Sequence, residues 1–171
     1  MTPTWERKNR RRQQRARALP SAAAALLALA AAAPAATYKW TKTNTGAYNW
    51  NTPANWSPAG FPDAPGDVAD ITANAGGYVT NLLNQSSVTV GVLAIGDTDT
   101  QTRRPFAVCT NAPGQVLVFD NGAADAQLGQ NATSAGDTIA APVHIAGSLR
   151  LSSATTDRAL TIEGPVSGGP G

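Results

Sequence analysis

The run Pro62-Asp63-Ala64-Pro65-Gly66-Asp67-Val68-Ala69-Asp70 places three carboxylates in one turn-rich stretch. Such a trio invites two chemistries, calcium binding and acid–base work. Calcium takes about six to eight oxygens, and three Asp in a Pro-Gly turn do not supply them. The simpler role is local: Asp67, following Gly66, caps a tight turn through its carboxylate. Asp97-Thr98-Asp99 opens like an EF-hand loop, but its sixth position is Thr102 instead of Gly and its twelfth is Val108 instead of Glu. His144 is the only histidine; it sits between Val143 and Ile145, and strand alternation turns it away from their face. One His makes no zinc site, and no Gly-x-Ser-x-Gly setting accompanies it. Cys109, the only cysteine, lies in the apolar run Phe106-Ala107-Val108-Cys109 and reads as a buried small hydrophobe. Nothing beside it would activate the thiol. Gly168-Gly169-Pro170-Gly171 lacks the Lys and the following helix of a phosphate loop. No catalytic, cofactor-binding or metal-ligating residue is therefore assigned, and the chain is expected to be non-enzymatic and without a cofactor.

Two further patterns concern sugars. Asn55-Trp56-Ser57, Asn84-Gln85-Ser86 and Asn131-Ala132-Thr133 match the glycosylation acceptor pattern. Gly46-Ala47-Tyr48-Asn49-Trp50-Asn51-Thr52-Pro53-Ala54-Asn55-Trp56-Ser57 crowds two Trp, a Tyr and three Asn into twelve residues. Nine aromatics lie beyond residue 36, and six of them fall between Tyr38 and Phe61. The cluster has two readings. As a structural cover it would close the open, apolar end of a stack of small residues, since Trp and Tyr cover the most area and keep a polar edge. As a carbohydrate platform it would stack exposed indoles on sugar rings. Deep burial of Trp50 and Trp56 favours the cover; coplanar exposed rings favour the platform.

The elements that position these residues begin with a leader. Residues 1–20 hold seven of the 13 basic side chains, residues 22–33 read AAAALLALAAAA, and Ala33-Pro34-Ala35 follows. A basic region, a short apolar run and small residues describe a secretory signal peptide over 1–35. The apolar run falls short of the ~20 residues that span a bilayer. From Ala36 onward six basic and ten acidic side chains remain, a formal charge of −4. The basic balance belongs to the leader, and nucleic-acid binding through a basic face loses its support.

No stripe of helical period persists after residue 36. Short runs rich in β-branched residues alternate with Gly, Pro, Asn and Ser. They include 38–42, 68–72, 87–90, 92–95, 106–109, 116–119, 142–145, 148–151 and 159–162, an all-β chain. Val92-Leu93-Ala94-Ile95-Gly96-Asp97 recurs as Val116-Leu117-Val118-Phe119-Asp120-Asn121, and Ser148-Leu149-Arg150-Leu151-Ser152-Ser153 continues the series. Offsets in the twenties and thirties with such short strands fit one coil of a parallel β-helix. A β-sandwich would place aromatics across facing sheets throughout, and none follows Phe119. Residues 36–67 are expected to form the aromatic cap region and 68–171 the coils. The ending Gly-Pro-Val-Ser-Gly-Gly-Pro-Gly is turn chemistry, so the coils are expected to be incomplete at the C-terminus, with downstream repeats missing.

Trp40, Trp50 and Trp56, with Asn55 before the last of them, lead into Phe61-Pro62-Asp63-Ala64-Pro65-Gly66-Asp67-Val68-Ala69-Asp70-Ile71. Over residues 37–171 this opening, with the later stretches TIAAPVHIAGSLRL and LTIEGPVSG, resembles secreted bacterial proteins carrying autotransporter-associated β-strand repeats. The resemblance implies a right-handed parallel β-helix passenger, displayed on or released from the cell surface. The expected function is a secreted or surface scaffold, adhesin-like, with an extracellular glycan or surface polymer as partner, no nucleic acid and no membrane span in the mature segment. Two rivals remain. One is a polysaccharide lyase or hydrolase, which needs acidic and basic side chains in one groove; residues 105–149 contain no Lys or Arg. The other is a small carbohydrate-binding β-domain.

Overall fold

The computed structural model describes residues 34–153 and 158–169, so the expected leader lies almost wholly outside the described residues. The described chain is a parallel β-solenoid with three faces and five coils. The first coil supplies β1 (Thr37–Trp40) and β2 (Gly46–Asn49), then a 3-10 turn at Pro53–Asn55 and the short β3 (Trp56–Ser57). The second supplies β4 (Val68–Ala73), β5 (Val79–Leu83) and β6 (Ser87–Val90). The third supplies β7 (Val92–Asp97), β8 (Phe106–Thr110) and β9 (Val116–Phe119). The fourth supplies β10 (Ala126–Gln130), β11 (Thr138–Ile139) and β12 (Val143–Ile145), and the fifth β13 (Leu149–Ser153), β14 (Thr161–Ile162) and β15 (Val166–Gly168).

Like strands stack along the axis. Sheet one runs β3-β1-β4-β7-β10-β13, sheet two β2-β5-β8-β11-β14 and sheet three β6-β9-β12-β15. Every pairing is parallel except β3 on β1. Alternation decides what faces inward, because successive side chains point to opposite sides of a strand. In sheet one Ala69, Leu93 and Leu128 stack in register and are fully buried. In sheet three Val88, Leu117 and Val143 do the same. Burying each such Val or Leu contributes about 1.5–3 kcal/mol. These rows and the backbone ladder hold the described coils together, since Cys109 is a free thiol.

Corners are held by polar side chains. At the corner after sheet two, Asn51 and Asn84 occupy successive coils and bond reciprocally: the Asn51 amide N–H donates to Asn84 Oδ1 at 3.1 Å, and Asn84 Nδ2 donates to Asn51 Oδ1. One coil further on, Gln115 Oε1 accepts the backbone N–H groups of Asn111 and Ala112 at 2.7 and 2.9 Å. Each side chain satisfies backbone or amide groups that a turn would otherwise leave unpaired.

One reading from the sequence is corrected. VLAIGD and VLVFDN do not stack: the first is β7 in sheet one and the second includes β9 in sheet three. Their spacing matches a coil length, since Val68 pairs with Val92, but the two runs lie on different faces. The repeat that does hold is T-I-x-x-P-V. Thr138 pairs with Thr161, Ile139 with Ile162 and Val143 with Val166, each 23 residues apart.

Candidate functional site

The aromatic cluster is a cap. Trp40, Trp50 and Trp56 are 2%, 0% and 3% exposed, which excludes a sugar platform made of exposed indoles. Strands β1 and β2 already belong to the first coil, and the chain then folds back so that β3 lies antiparallel along β1, with Trp40 opposite Trp56. The three indoles meet edge to face, Trp40–Trp56 at 4.8 Å and Trp50–Trp56 at 4.9 Å between centroids. This is the geometry that ring quadrupoles favour. Trp56 Nε1 donates to the Trp50 carbonyl at 2.7 Å and Trp50 Nε1 to the Pro62 carbonyl at 2.9 Å. Asn55 is buried beside them and donates through Nδ2 to the Asn49 carbonyl at 2.7 Å.

The first acidic trio does not converge on one point. Asp67 is buried and works as a two-way latch: Oδ1 accepts the Ala36 N–H at 2.9 Å and Oδ2 the Asp63 N–H at 3.1 Å. The bond to Asp63 is the expected turn cap; the bond to Ala36, which ties the turn to the residue before β1, left no sequence signal. Asp63 turns to sheet three, where Oδ1 accepts the Thr89 N–H of β6 at 3.0 Å. Asp70 accepts the Thr72 N–H at 3.0 Å and lies 3.9 Å from the exposed Lys39, a surface pair of little energetic weight. Among the described residues no group of three or more His, Cys, Asp or Glu side chains is placed to hold a metal ion.

Two fully buried carboxylates organise the corner between sheets one and two. Asp97 accepts three backbone N–H groups, from Ala75 (3.3 Å), Asp99 (2.9 Å) and Arg104 (2.6 Å). It thereby folds the loop from 98 to 105 onto the coil beneath. Asp137 accepts the Phe106 N–H at 2.8 Å and Gln130 Nε2 at 3.0 Å. Burial pushes the Asp137 carboxyl above the usual carboxylate range and outweighs its donors, Ser134 among them; the nearby Asp97 charge pushes the same way. A folded value above the unfolded one means the folded protein holds the proton more tightly. The stability that follows is fully present below the unfolded value and is lost as pH rises through the folded one. Asp137→Asn is therefore expected to gain less thermal stability than the parent on acidification from neutrality toward about pH 4. Thermal unfolding across that range at constant ionic strength measures it, and parallel profiles would place the corner's pH response elsewhere.

The remaining candidates are scattered. His144 faces outward on β12, as alternation predicts, with Nδ1 3.1 Å from Ser167 Oγ of β15. Ser167 Oγ also lies within donating distance of the Val143 carbonyl, at 3.2 Å. Cys109 departs from the expected buried site: Val108 takes the inward position and Cys109 is half-buried on the outer side of β8. Desolvation first, then the Glu163 charge, pushes its thiol upward, away from thiolate chemistry. All three acceptor-pattern asparagines spend their amides inside the fold, Asn55 on Asn49, Asn84 on Asn51 and Asn131 on the Asp97 carbonyl at 2.8 Å.

One concavity lies on the outer side of sheet one. Thr72, Ala94, Thr98, Gly129, Gln130 and Asn131 line a shallow groove of about 430 Å³. Its floor exists because Ala94 and Gly129, neighbours in register on β7 and β10, have almost no side chain. The lining carries hydroxyl and amide groups but no ionised side chain. Among the described residues no helix is long and apolar enough to cross a membrane. No known protein family, curated protein or solved structure matches the chain. The fold alone places it among parallel β-solenoids with an aromatic cap at the N-terminal end.

Proposed function

We propose that the chain is a secreted or cell-surface scaffold, the capped part of an adhesin-like β-helical passenger of the kind carrying autotransporter-associated repeats, with no catalytic role. The observation that carries this reading is the continuous three-sheet ladder sealed at its first end by Trp40, Trp50 and Trp56. Such a stack is stiff along its axis because the first coil is bonded to the second on two faces and every later coil to the next on three. The basic and apolar leader supports export. An uncharged groove walled by the hydroxyl-bearing Thr72 and Thr98 supports a neutral glycan or surface polymer as partner, since hydroxyl groups match sugar hydroxyls. It speaks against the lyase or hydrolase reading, which requires ionised acid–base groups beside the substrate.

A panel of neutral and acidic polysaccharides tests both halves of the proposal. Retention of the protein on a neutral polymer, without new reducing ends or unsaturated products, is the expected result. Gly129→Arg, which fills the groove floor from the solvent side, should abolish retention. Product formation that grows with protein concentration would overturn the scaffold reading.

A further inference from the structure

Charged side chains are sorted by corner. The corner between sheets three and one, formed by residues 58–67, 91, 120–125 and 146–148, carries Asp63, Asp67, Asp120 and Asp125 and no Lys or Arg. The corner between sheets one and two carries Lys42 in the first coil and Arg103-Arg104 in the third. Among the described residues its carboxylates are spent on the backbone. Asp97 and Asp137 are buried, and Asp99 accepts the Gln101 N–H at 2.8 Å. Asp97 fastens the loop from 98 to 105 through the N–H groups of Asp99 and Arg104, and the two guanidinium groups are left outside. Arg104 is exposed and Arg103 half-buried, and neither forms an ion pair among the described residues. Tyr78 stands on the adjacent rung. It is 47% exposed, and no other large apolar side chain is as open among the described residues of the first four coils. The Val79 N–H donates to the Pro105 carbonyl at 3.4 Å, and Val79 is in register with Phe106, so Tyr78 and the arginine pair are about 5 Å apart along the axis. The Tyr78 side chain bonds Thr80. From Thr80 a row runs along the outer side of sheet two through Ala107 to the hydroxyls of Thr138 and Thr161.

We propose that this corner is a second binding site, separate from the groove on sheet one, and that its ligand is an acidic sugar chain lying along the solenoid axis. Carboxylate or sulfate groups pair with Arg103 and Arg104, a sugar ring packs on Tyr78, and sugar hydroxyls meet the threonine row. Each part matches one feature of such a chain. The guanidinium fork suits two-oxygen anions, and a tyrosine ring offers an apolar face beside a polar tip. Threonine hydroxyls both donate and accept. Desolvation first, then the Cys109 thiol, pushes the Tyr78 hydroxyl upward, so it stays a neutral donor. Lys42, two coils nearer the first end, extends the cationic line by about 10 Å. A neutral sugar leaves the fork unused. A single-stranded nucleic acid calls for a series of stacking aromatics, and Tyr78 stands alone on this face. The acidic corner between sheets three and one repels the same ligand, which confines it to one side of the rod.

Arginine-directed modification of the full chain with phenylglyoxal, read peptide by peptide, tests the site. A site-by-site readout is needed because the basic residues 1–20 also attract polyanions. Polygalacturonate or dextran sulfate should slow the modification of Arg103 and Arg104 and leave the exposed Arg150 reactive. Protection by only one of the two polymers would assign the anion as carboxylate or sulfate. Dextran, the neutral probe for the groove, should protect neither arginine, so the two sites stand or fall separately. Tyr78→Ala should raise the acidic polymer concentration needed for protection by about two- to tenfold, while Tyr78→Phe, which keeps the ring, should change it little. Absence of protection, equal protection of Arg150, protection by dextran, or stronger protection by single-stranded DNA of matched charge would each overturn the proposal. So would a folded Tyr78→Ala protein protected at the parent's concentrations. The modification experiment on the parent needs no substitution, so a variant that fails to fold leaves the test intact.

Discussion

Trp50→Ala is expected to destabilise the protein by about 3–5 kcal/mol, the range for removing a buried Trp or Phe side chain. Trp50 is fully enclosed, its Nε1 holds the Pro62 carbonyl, and its ring meets Trp56 edge to face. Truncation opens a cavity directly over the first coil and leaves the Pro62 carbonyl without its donor. Chemical denaturation with near-ultraviolet circular dichroism would read both the loss and its cooperativity. A milder series separates packing from hydrogen bonding. Trp50→Phe and Trp56→Phe each remove an indole that donates to a backbone carbonyl, and each strands that carbonyl in the interior. Trp40→Phe does not, because Trp40 Nε1 is buried without a partner. Stranding a buried acceptor costs about 1–3 kcal/mol, so Trp40→Phe should be the mildest of the three by roughly that amount. Equal losses at all three positions would mean that ring volume alone sets the strength of the cap.

The cap was legible because large rings are scarce in this chain and cluster before the first repeat. Its bonds were not, since nothing in the spacing of Trp50 and Pro62 indicates that one donates to the other. The coil architecture was legible from β-branched runs such as Ser87-Val88-Thr89-Val90, where alternation and propensity agree. It was not legible at Ala126-Gln127-Leu128-Gly129-Gln130, where Leu128 is the only large apolar residue. That strand is held in place by β7 and β13 on either side, a tertiary override of weak local preference. Thr138-Ile139 and Val166-Ser167-Gly168 are too short to declare themselves. The false alignment of β7 with β9 has the same origin: a solenoid interior accepts the same Val and Leu on every face, so similarity reports coil length more reliably than face. The T-I-x-x-P-V echo is firmer because Pro142 and Pro165 mark a corner, where backbone geometry differs from that of a strand. Among the acidic residues, the turn role of Asp67 could be read from Gly66 beside it, whereas the burial of Asp97 and Asp137 depends on loops from neighbouring coils.

Gly91→Ala should be nearly as damaging as the loss of a cap Trp, although it adds a single methyl group. Gly91 is buried at the bend between β6 and β7, and its N–H donates to the Asp67 carbonyl at 2.8 Å. A Cβ there would stand 2.5 Å from Gly66 Cα, 2.8 Å from Gly66 C and 2.6 Å from Asn121 Oδ1. The first two are backbone atoms, so no rotamer change relieves the contact. The Gly66–Asp67 turn has to move outward, and Asp67 carries with it the bonds to Ala36 and Asp63 that tie the first coil to the second. Overpacking of this kind costs about 1–3 kcal/mol and sometimes more; the shared latch places Gly91→Ala at the upper end. Gly114→Ala is the control. Gly114 lies at φ +81° with nothing within 4 Å of a Cβ, so its substitution bears only the left-handed backbone penalty of about 1–2 kcal/mol. Equilibrium denaturation of the two variants compares collision with conformation directly. If Gly114→Ala proved the worse of the pair, the close approach of Gly91 to Gly66 would not be what fixes this corner. If Gly91→Ala is worse and amide exchange speeds up at Ala36 and Asp63 as well as at Gly91, the strain has travelled through Asp67, and the contact between two glycines at one bend is what keeps the capped coil registered on the one that follows.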